Sequence, residues 1–214
     1  MNHIKKAPVP EKFIQWKEGR QGNLPSWDGA RHEKKYLKPA LLAEQFWICC
    51  YCESEIENET EAHIEHFRPR NLFPELMYEY GNLLCSCSPE STGNFEDCHC
   101  GQKKGQQFDE KRLLSPLDEN CETYFEFLWD GKMTASSVNP AAAEYTMEVL
   151  GLNCPELQAH RKAFLDGFVD ETLSIEEMQT LARLFLEFRE NGRRKPYPSM
   201  IRYLFAKDEG VEKP

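Results

Sequence analysis

The chain has 214 residues, 26 of them Lys or Arg and 36 Asp or Glu, for a formal charge of −10 at pH 7. With 40% hydrophobic residues it has an ordinary globular make-up, able to bury roughly two-thirds of its surface without covalent cross-links. Its longest apolar candidate, residues 46–50, excludes a membrane-spanning helix. The first ten residues hold two lysines and two prolines with no apolar stretch behind them, which excludes a secretory signal and predicts a soluble cytoplasmic protein. The acidic balance argues against a broad basic face, so a polynucleotide partner would need a local basic strip, a metal ion or a second subunit to offset repulsion.

In chain order, residues 1–30 are broken by Pro8, Pro10, Gly19, Gly22, Pro25 and Gly29 and read as an extended arm with one short helix over 13–17. Over 33–47, Tyr36, Leu37, Leu41, Leu42 and Phe46 recur at helical spacing, with Pro39 inside as a source of a kink. Residues 62–67 alternate apolar and polar and predict a short half-buried strand ending at Pro69. Asn82-Leu83-Leu84 is a second short apolar piece, 88–97 a polar loop, and 101–107 the start of a helix. Asp130-Gly131 between 125–129 and 133–138 is a hairpin signal. Four helices follow, over 141–150, 155–168, 174–190 and 199–206. Asn139 caps the first with Pro140 in its first turn, and Ser174 opens a capping box with Glu177. Leu181, Leu184, Phe185 and Phe188 read as a core stripe, and Arg193-Arg194-Lys195 as a solvated turn, with a phosphate contact as the alternative.

The nine cysteines fall at 49, 50, 52, 85, 87, 98, 100, 121 and 154, seven of them within 52 residues. An odd count with no signal peptide points away from disulfides and toward thiolate–metal chemistry. Cys49-x2-Cys52 has the spacing of a turn that gives two sulfurs to one zinc. One cysteine from each of the pairs Cys85/Cys87 and Cys98/Cys100 would complete a four-sulfur site, and spacing alone does not choose between them. Cys121 and Cys154 read as buried, inert thiols.

Between the cysteine groups lies His63-Ile64-Glu65-His66-Phe67-Arg68-Pro69. On a strand His63 and Glu65 share a face and His66 points away. A carboxylate can hold a hard divalent cation while leaving positions for phosphate and water, and an adjacent neutral imidazole can take a proton from that water. At these residues the sequence resembles the HNH endonuclease family. Cys49-x2-Cys52, Glu65-His66-x2-Pro69, Asn82, Cys87 five residues after Asn82, and Cys100 four before Lys104 match its zinc-braced versions. Cys-Tyr-Cys-Glu, Ile-Glu-His-Phe-Arg-Pro, Asn-Leu-Leu and Cys-Gly-x-x-Lys-Gly look like the HNH subunit of Septu and retron-associated anti-phage systems. Leu113-Leu114-Ser115-Pro116 and Leu150-Gly151-Leu152-Asn153 with Arg161 extend the likeness.

The resemblance implies an α+β fold: an arm and helix over 1–47, a zinc-braced ββα-metal nuclease core over 48–115, and a hairpin plus helical region over 116–214. It implies structural Zn²⁺ on Cys49, Cys52, Cys87 and Cys100, with Cys85 and Cys98 as spares. His66 takes the general-base position, Glu65 that of a ligand to catalytic Mg²⁺ or Mn²⁺, and Asn82 that of the residue holding the loop that aims the histidine. The usual third His or Asn is replaced by Gly101, so His63, or alternatively His99, supplies the second ligand. Lys103, Lys104 and Arg68 are the candidate nucleic-acid contacts. The implied substrate is DNA, with tRNA as the alternative, and the implied partner is an ABC-type ATPase subunit, with no membrane. The rival reading is a non-catalytic zinc-ribbon module that docks a protein, which leaves the placing of Glu65, His66, Pro69 and Asn82 unexplained. A thiol–disulfide enzyme fits less, because no βαβ pattern surrounds the cysteines.

Overall fold

A computed structural model describes residues 1–88 and 98–205, without the side chains of 31–34. The loop read over 88–97 therefore lies, apart from Ser88, outside the described residues. The architecture mixes helices with two small antiparallel sheets.

The first helix, α1 (Glu11–Gly19), packs on α2 (Arg31–Glu44), whose Leu37, Leu41 and Leu42 are fully buried over the first sheet. The expected end of α2 at residue 47 is corrected to Glu44. Phe46 and Trp47 take φ of 55° and 63°, and a left-handed pair cannot continue a right-handed helix. This reversal throws the chain directly into Cys49. The amino-terminal arm is packed rather than extended into solvent: Met1, Ile4 and Trp27 are buried, and Lys6 reaches Glu44 and the Leu83 carbonyl.

Strands β1 (Ala62–His66) and β2 (Leu83–Cys87) pair antiparallel, from Ala62 opposite Cys87 to His66 opposite Leu83. The helix expected over 101–107 is a shorter α3 (Cys100–Lys104), ended by Gly105 at φ 52°, and it packs on β2. A second hairpin, β3 (Phe125–Phe127) and β4 (Met133–Ala135), turns at Asp130-Gly131. Gly131 is obligatory there, because it has φ of 82° and a Cβ would lie 2.3 Å from the Gln158 carbonyl oxygen.

The helices α4 (Pro140–Leu150), α5 (Pro155–Phe168), α6 (Ile175–Leu186) and α7 (Pro198–Phe205) complete the chain. Asn139 accepts from the Ala142 amide at 3.3 Å, and the Ser174–Glu177 capping box is formed. The core-stripe expectation for α6 is corrected: Leu181, Leu184 and Phe188 are 37%, 56% and 49% exposed, while Met178 and Ala182 are buried. The helix lies at the edge of the molecule against α7 and stops at Leu186, because Glu187 turns extended and puts Phe188 beyond it. Phe185 alone of the four joins an aromatic cluster with Phe164 and Phe168. Arg193 lies 3.8 Å over the Trp47 ring, Arg194 4.8 Å over Phe188 and Lys195 4.8 Å over Phe185, so this run packs on aromatic faces and is not a solvated turn. Arg161 is buried and donates to the carbonyls of Gly131 and Leu152, tying the second hairpin to the α4–α5 turn. Among the described residues, no helix is long and apolar enough to cross a membrane.

Candidate active site

The sulfur cluster is built from three pieces of chain. Cys49 and Cys52 sit on one tight turn, closed by the Glu53 amide donating to the Cys49 carbonyl and by Glu53 itself at φ 64°. Cys87 ends β2 and Cys100 opens α3. Their four Sγ atoms lie within 4.8 Å of one another. A zinc ion at about 2.3 Å from four tetrahedral sulfurs sets them about 3.8 Å apart, and Cys52 Sγ and Cys87 Sγ are 3.7 Å apart. The donor set fits zinc. The Cys87 amide donates to Cys49 Sγ at 3.3 Å, as thiolate ligands require of their surroundings. Burial works to raise the Cys49 thiol, but hydrogen bonds from Cys100, Cys50, Cys52 and Cys87 hold it well below its usual value. Cys85 lies outside this group, fully buried with its Sγ turned to the Lys38 carbonyl. Cys121 and Cys154 are buried too.

Beside the cluster a cavity of about 340 Å³ is lined by His63, Glu65 and His66 from β1 and by Gly101, Trp27 and Arg70. The strand alternation brings His63 and Glu65 together, with Nε2 and Oε2 3.4 Å apart. Glu65 is buried, and its Oε1 accepts from the Tyr51 hydroxyl at 3.2 Å and from the Lys104 ammonium at 2.6 Å. Burial alone would raise this carboxyl, but His63 and Lys104 outweigh it and keep the pKa below the usual range, so Glu65 is an anion. A Cβ on Gly101 would fall 2.6 Å from both Oε2 and Nε2. The glycine thus keeps open the ground between one oxygen and one nitrogen donor, a pair suited to a divalent ion.

His66 follows on the same strand. Its Nε2 lies 3.0 Å from the Met77 carbonyl oxygen. A carbonyl only accepts, so Nε2 carries the hydrogen and Nδ1 presents its lone pair. Burial lowers the His66 pKa, which keeps the ring neutral and able to take a proton. The Trp27 ring packs edge-on against it with centroids 4.4 Å apart. Asn82 ties down the loop that carries Met77. Its Oδ1 accepts from the Arg68 amide at 2.8 Å, and its Nδ2 donates to the carbonyls of Arg68 and Leu76 at 3.0 and 3.2 Å.

The structure therefore brings together Glu65, His66, His63 and, behind them, Asn82. His99 is turned to the sulfurs, with Nδ1 3.2 Å from Cys100 Sγ, and is not beside Glu65. The expected cations do not converge on the cavity. Lys104 is 1% exposed and points inward, so a phosphate cannot reach it without displacing it from Glu65. Lys103 lays its side chain against Gly151 of the α4–α5 turn. Arg68 pairs with Glu110 at 2.6 Å on the wall of a different cavity. Sequence reasoning missed Arg70, which lines the cavity with its Nη1 3.7 Å from Asp28 Oδ1. It also missed Trp27 and Tyr51. Tyr51 carried a local signal, its place between Cys49 and Cys52, whereas Trp27 reaches the site from a distant segment that spacing does not connect to it.

No family model matches the chain. A Vibrio cholerae protein named as an HNH endonuclease of retron Vc95 is 30% identical over 143 residues, covering 64% of this chain and 66% of its own length. The Septu protein PtuB of Bacillus thuringiensis is 26% identical over 206 residues, covering 91% of this chain and 71% of its own. An Escherichia coli protein named as an HNH endonuclease of retron Ec83 is 28% identical, covering 78% of this chain and 80% of its own. The chain thus spans about two-thirds or more of each of these relatives. With a four-cysteine cluster beside the Glu65–His66 strand, the chain belongs to the HNH endonuclease family, similar to the members named for retrons and for Septu.

Proposed function

We propose that the chain is a divalent-metal-dependent endonuclease that hydrolyses phosphodiester bonds, with β1, β2 and α3 as a ββα-metal core. The observation that carries this reading is a neutral imidazole with Nδ1 available, lining the same cavity as an ionised carboxylate and a second histidine. His66 Nδ1 accepts the proton of the attacking water. The Met77 carbonyl fixes the tautomer, and Asn82 holds the loop on which that carbonyl sits. Trp27 limits how far the ring can swing. Glu65 Oε2 and His63 Nε2 would hold a Mg²⁺ or Mn²⁺ ion, which when bound offsets charge on the phosphate and the leaving oxygen. Arg70, ion-paired with Asp28 in the same cavity lining, would have to turn from that carboxylate to meet a neighbouring phosphate. Zinc on the four cysteines is structural, because a closed tetrahedral site has no open position. DNA is the favoured substrate. The relatives named for retrons and for Septu support a role in anti-phage defence, and the ABC-type ATPase subunit proposed as partner rests on the resemblance of the sequence to those systems.

The test is incubation of the zinc-loaded protein, with its ATPase partner, with plasmid DNA and with total tRNA in Mn²⁺, Mg²⁺ or excess chelator. Cleavage in the divalent ions and a fall of about 10²- to 10⁴-fold in His66→Ala are expected. Undiminished cutting by that variant would remove His66 from the mechanism. Cutting of tRNA but not plasmid would reassign the substrate.

A further inference from the structure

Lys104, by sequence a candidate nucleic-acid contact, is one of the most buried side chains among the described residues, at 1% exposure. Its Nζ lies 2.6 Å from Glu65 Oε1 and donates to the His66 backbone carbonyl at 3.0 Å. One ammonium thus grips both consecutive residues of β1 on which the chemistry depends. The remaining Glu65 oxygen, Oε2, faces His63 Nε2, and the glycine at 101 leaves that face open. Tyr51 adds a second donor on Oε1, so this oxygen has no room for an ion.

Resting on the nuclease reading, we propose that Lys104 is a positioning residue that reserves Glu65 Oε1 and leaves a divalent ion only Oε2 and His63 Nε2. The ammonium and the carboxylate cancel, so the two donors meet the ion with little net negative charge. The free protein then holds the ion weakly, and a phosphate of the substrate supplies the missing charge and oxygen ligands. Ions of this kind are commonly held by one or two carboxylates plus substrate phosphates.

The experiment is a Mn²⁺ titration of the zinc-loaded protein without nucleic acid, read as loss of the free-ion electron paramagnetic resonance signal. Wild type should bind with a dissociation constant above about 0.1 mM. Lys104→Met removes a like charge a few ångströms from the ion and should tighten binding about tenfold. Lys104→Arg, which keeps the charge, should bind as wild type does. Wild-type binding in the micromolar range overturns the proposal whether or not Lys104→Met folds. So does a folded Lys104→Met, with its zinc retained, that binds no tighter. Either result accompanied by cleavage that still requires His66 leaves the nuclease reading standing, whereas cleavage indifferent to His66 removes both.

Discussion

A methyl group added at Gly101 would lie 2.6 Å from Glu65 Oε2 and 2.6 Å from His63 Nε2, closer than carbon approaches a polar atom without moving it. Both neighbours are ends of side chains, so the backbone need not shift. Glu65 is held from behind by Lys104 and Tyr51, whereas His63 is half exposed and tethered by Nδ1 to Ser88 Oγ at 3.1 Å. The histidine is the one that yields. Gly101→Ala should therefore keep its zinc and lose only about 1 kcal/mol of stability, while cleavage falls about a hundredfold, as expected of a ligand misplaced by an ångström. Melting and zinc content beside a cleavage assay would check this, and unchanged cleavage would show that His63 is no ligand. The departure from the family pattern at Gly101 has a physical counterpart here, because the ground a side chain at 101 would take belongs to His63. The choice of His63 over His99 was half legible: strand alternation paired His63 with Glu65, but only the chain path shows that His99 turns to the sulfurs.

Between β1 and β2 the loop from Phe67 to Asn82 has little regular structure, and Asn82 spans it with three hydrogen bonds to Arg68 and Leu76. Removing that amide leaves a partly buried N–H and two carbonyls without their partner, a loss of about 2 kcal/mol, or roughly 4 to 8 °C in melting temperature for a chain of this length. Because Met77 sets the tautomer of His66 from the same loop, Asn82→Ala should also lower cleavage about 10- to 100-fold at saturating substrate. A melting shift with kcat unchanged would reduce Asn82 to a purely structural role. Elements with strong local signals were readable in advance. The alternation over β1, the Asn139 cap and the Ser174–Glu177 box each act within a few residues, and all are present. Where tertiary packing decides, pattern fails. Leu181 and Leu184 recur at helical spacing yet are exposed, because α6 packs on α7 through Met178 and Ala182, while Phe188 lies beyond the helix end against Phe46. Lys103 and Lys104 are adjacent in sequence, but one packs on the α4–α5 turn and the other pairs with Glu65, a difference that composition does not encode.

Across the whole molecule the cluster of Cys49, Cys52, Cys87 and Cys100 is where the separately built parts meet. The turn after α2 brings two sulfurs, the end of β2 one and the start of α3 one. The carboxy-terminal region closes on the same turn: Glu53 accepts from the Ser199 amide at 2.8 Å and Ser54 Oγ lies 3.2 Å from the Tyr197 hydroxyl. Cross-linking by zinc is worth about 10 to 16 kcal/mol in small metal-folded peptides, against about 5 to 15 kcal/mol for the whole stability of a typical domain. Removing it should unfold the chain, not merely loosen a loop. The two proposed metals differ sharply in this respect, since the Glu65–His63 donors come from one strand and cross-link nothing. A brief wash with a mild chelator should abolish cleavage while melting temperature and about one zinc per chain, read by elemental analysis, stay unchanged. Cys52→Ser, or prolonged treatment with a strong zinc chelator, should instead lose the zinc, the cooperative melt and solubility together. A Cys52→Ser protein that melts like wild type would show that the sulfurs are not the brace of this fold, and mild chelation that removed activity and zinc in step would show that the two sites are one.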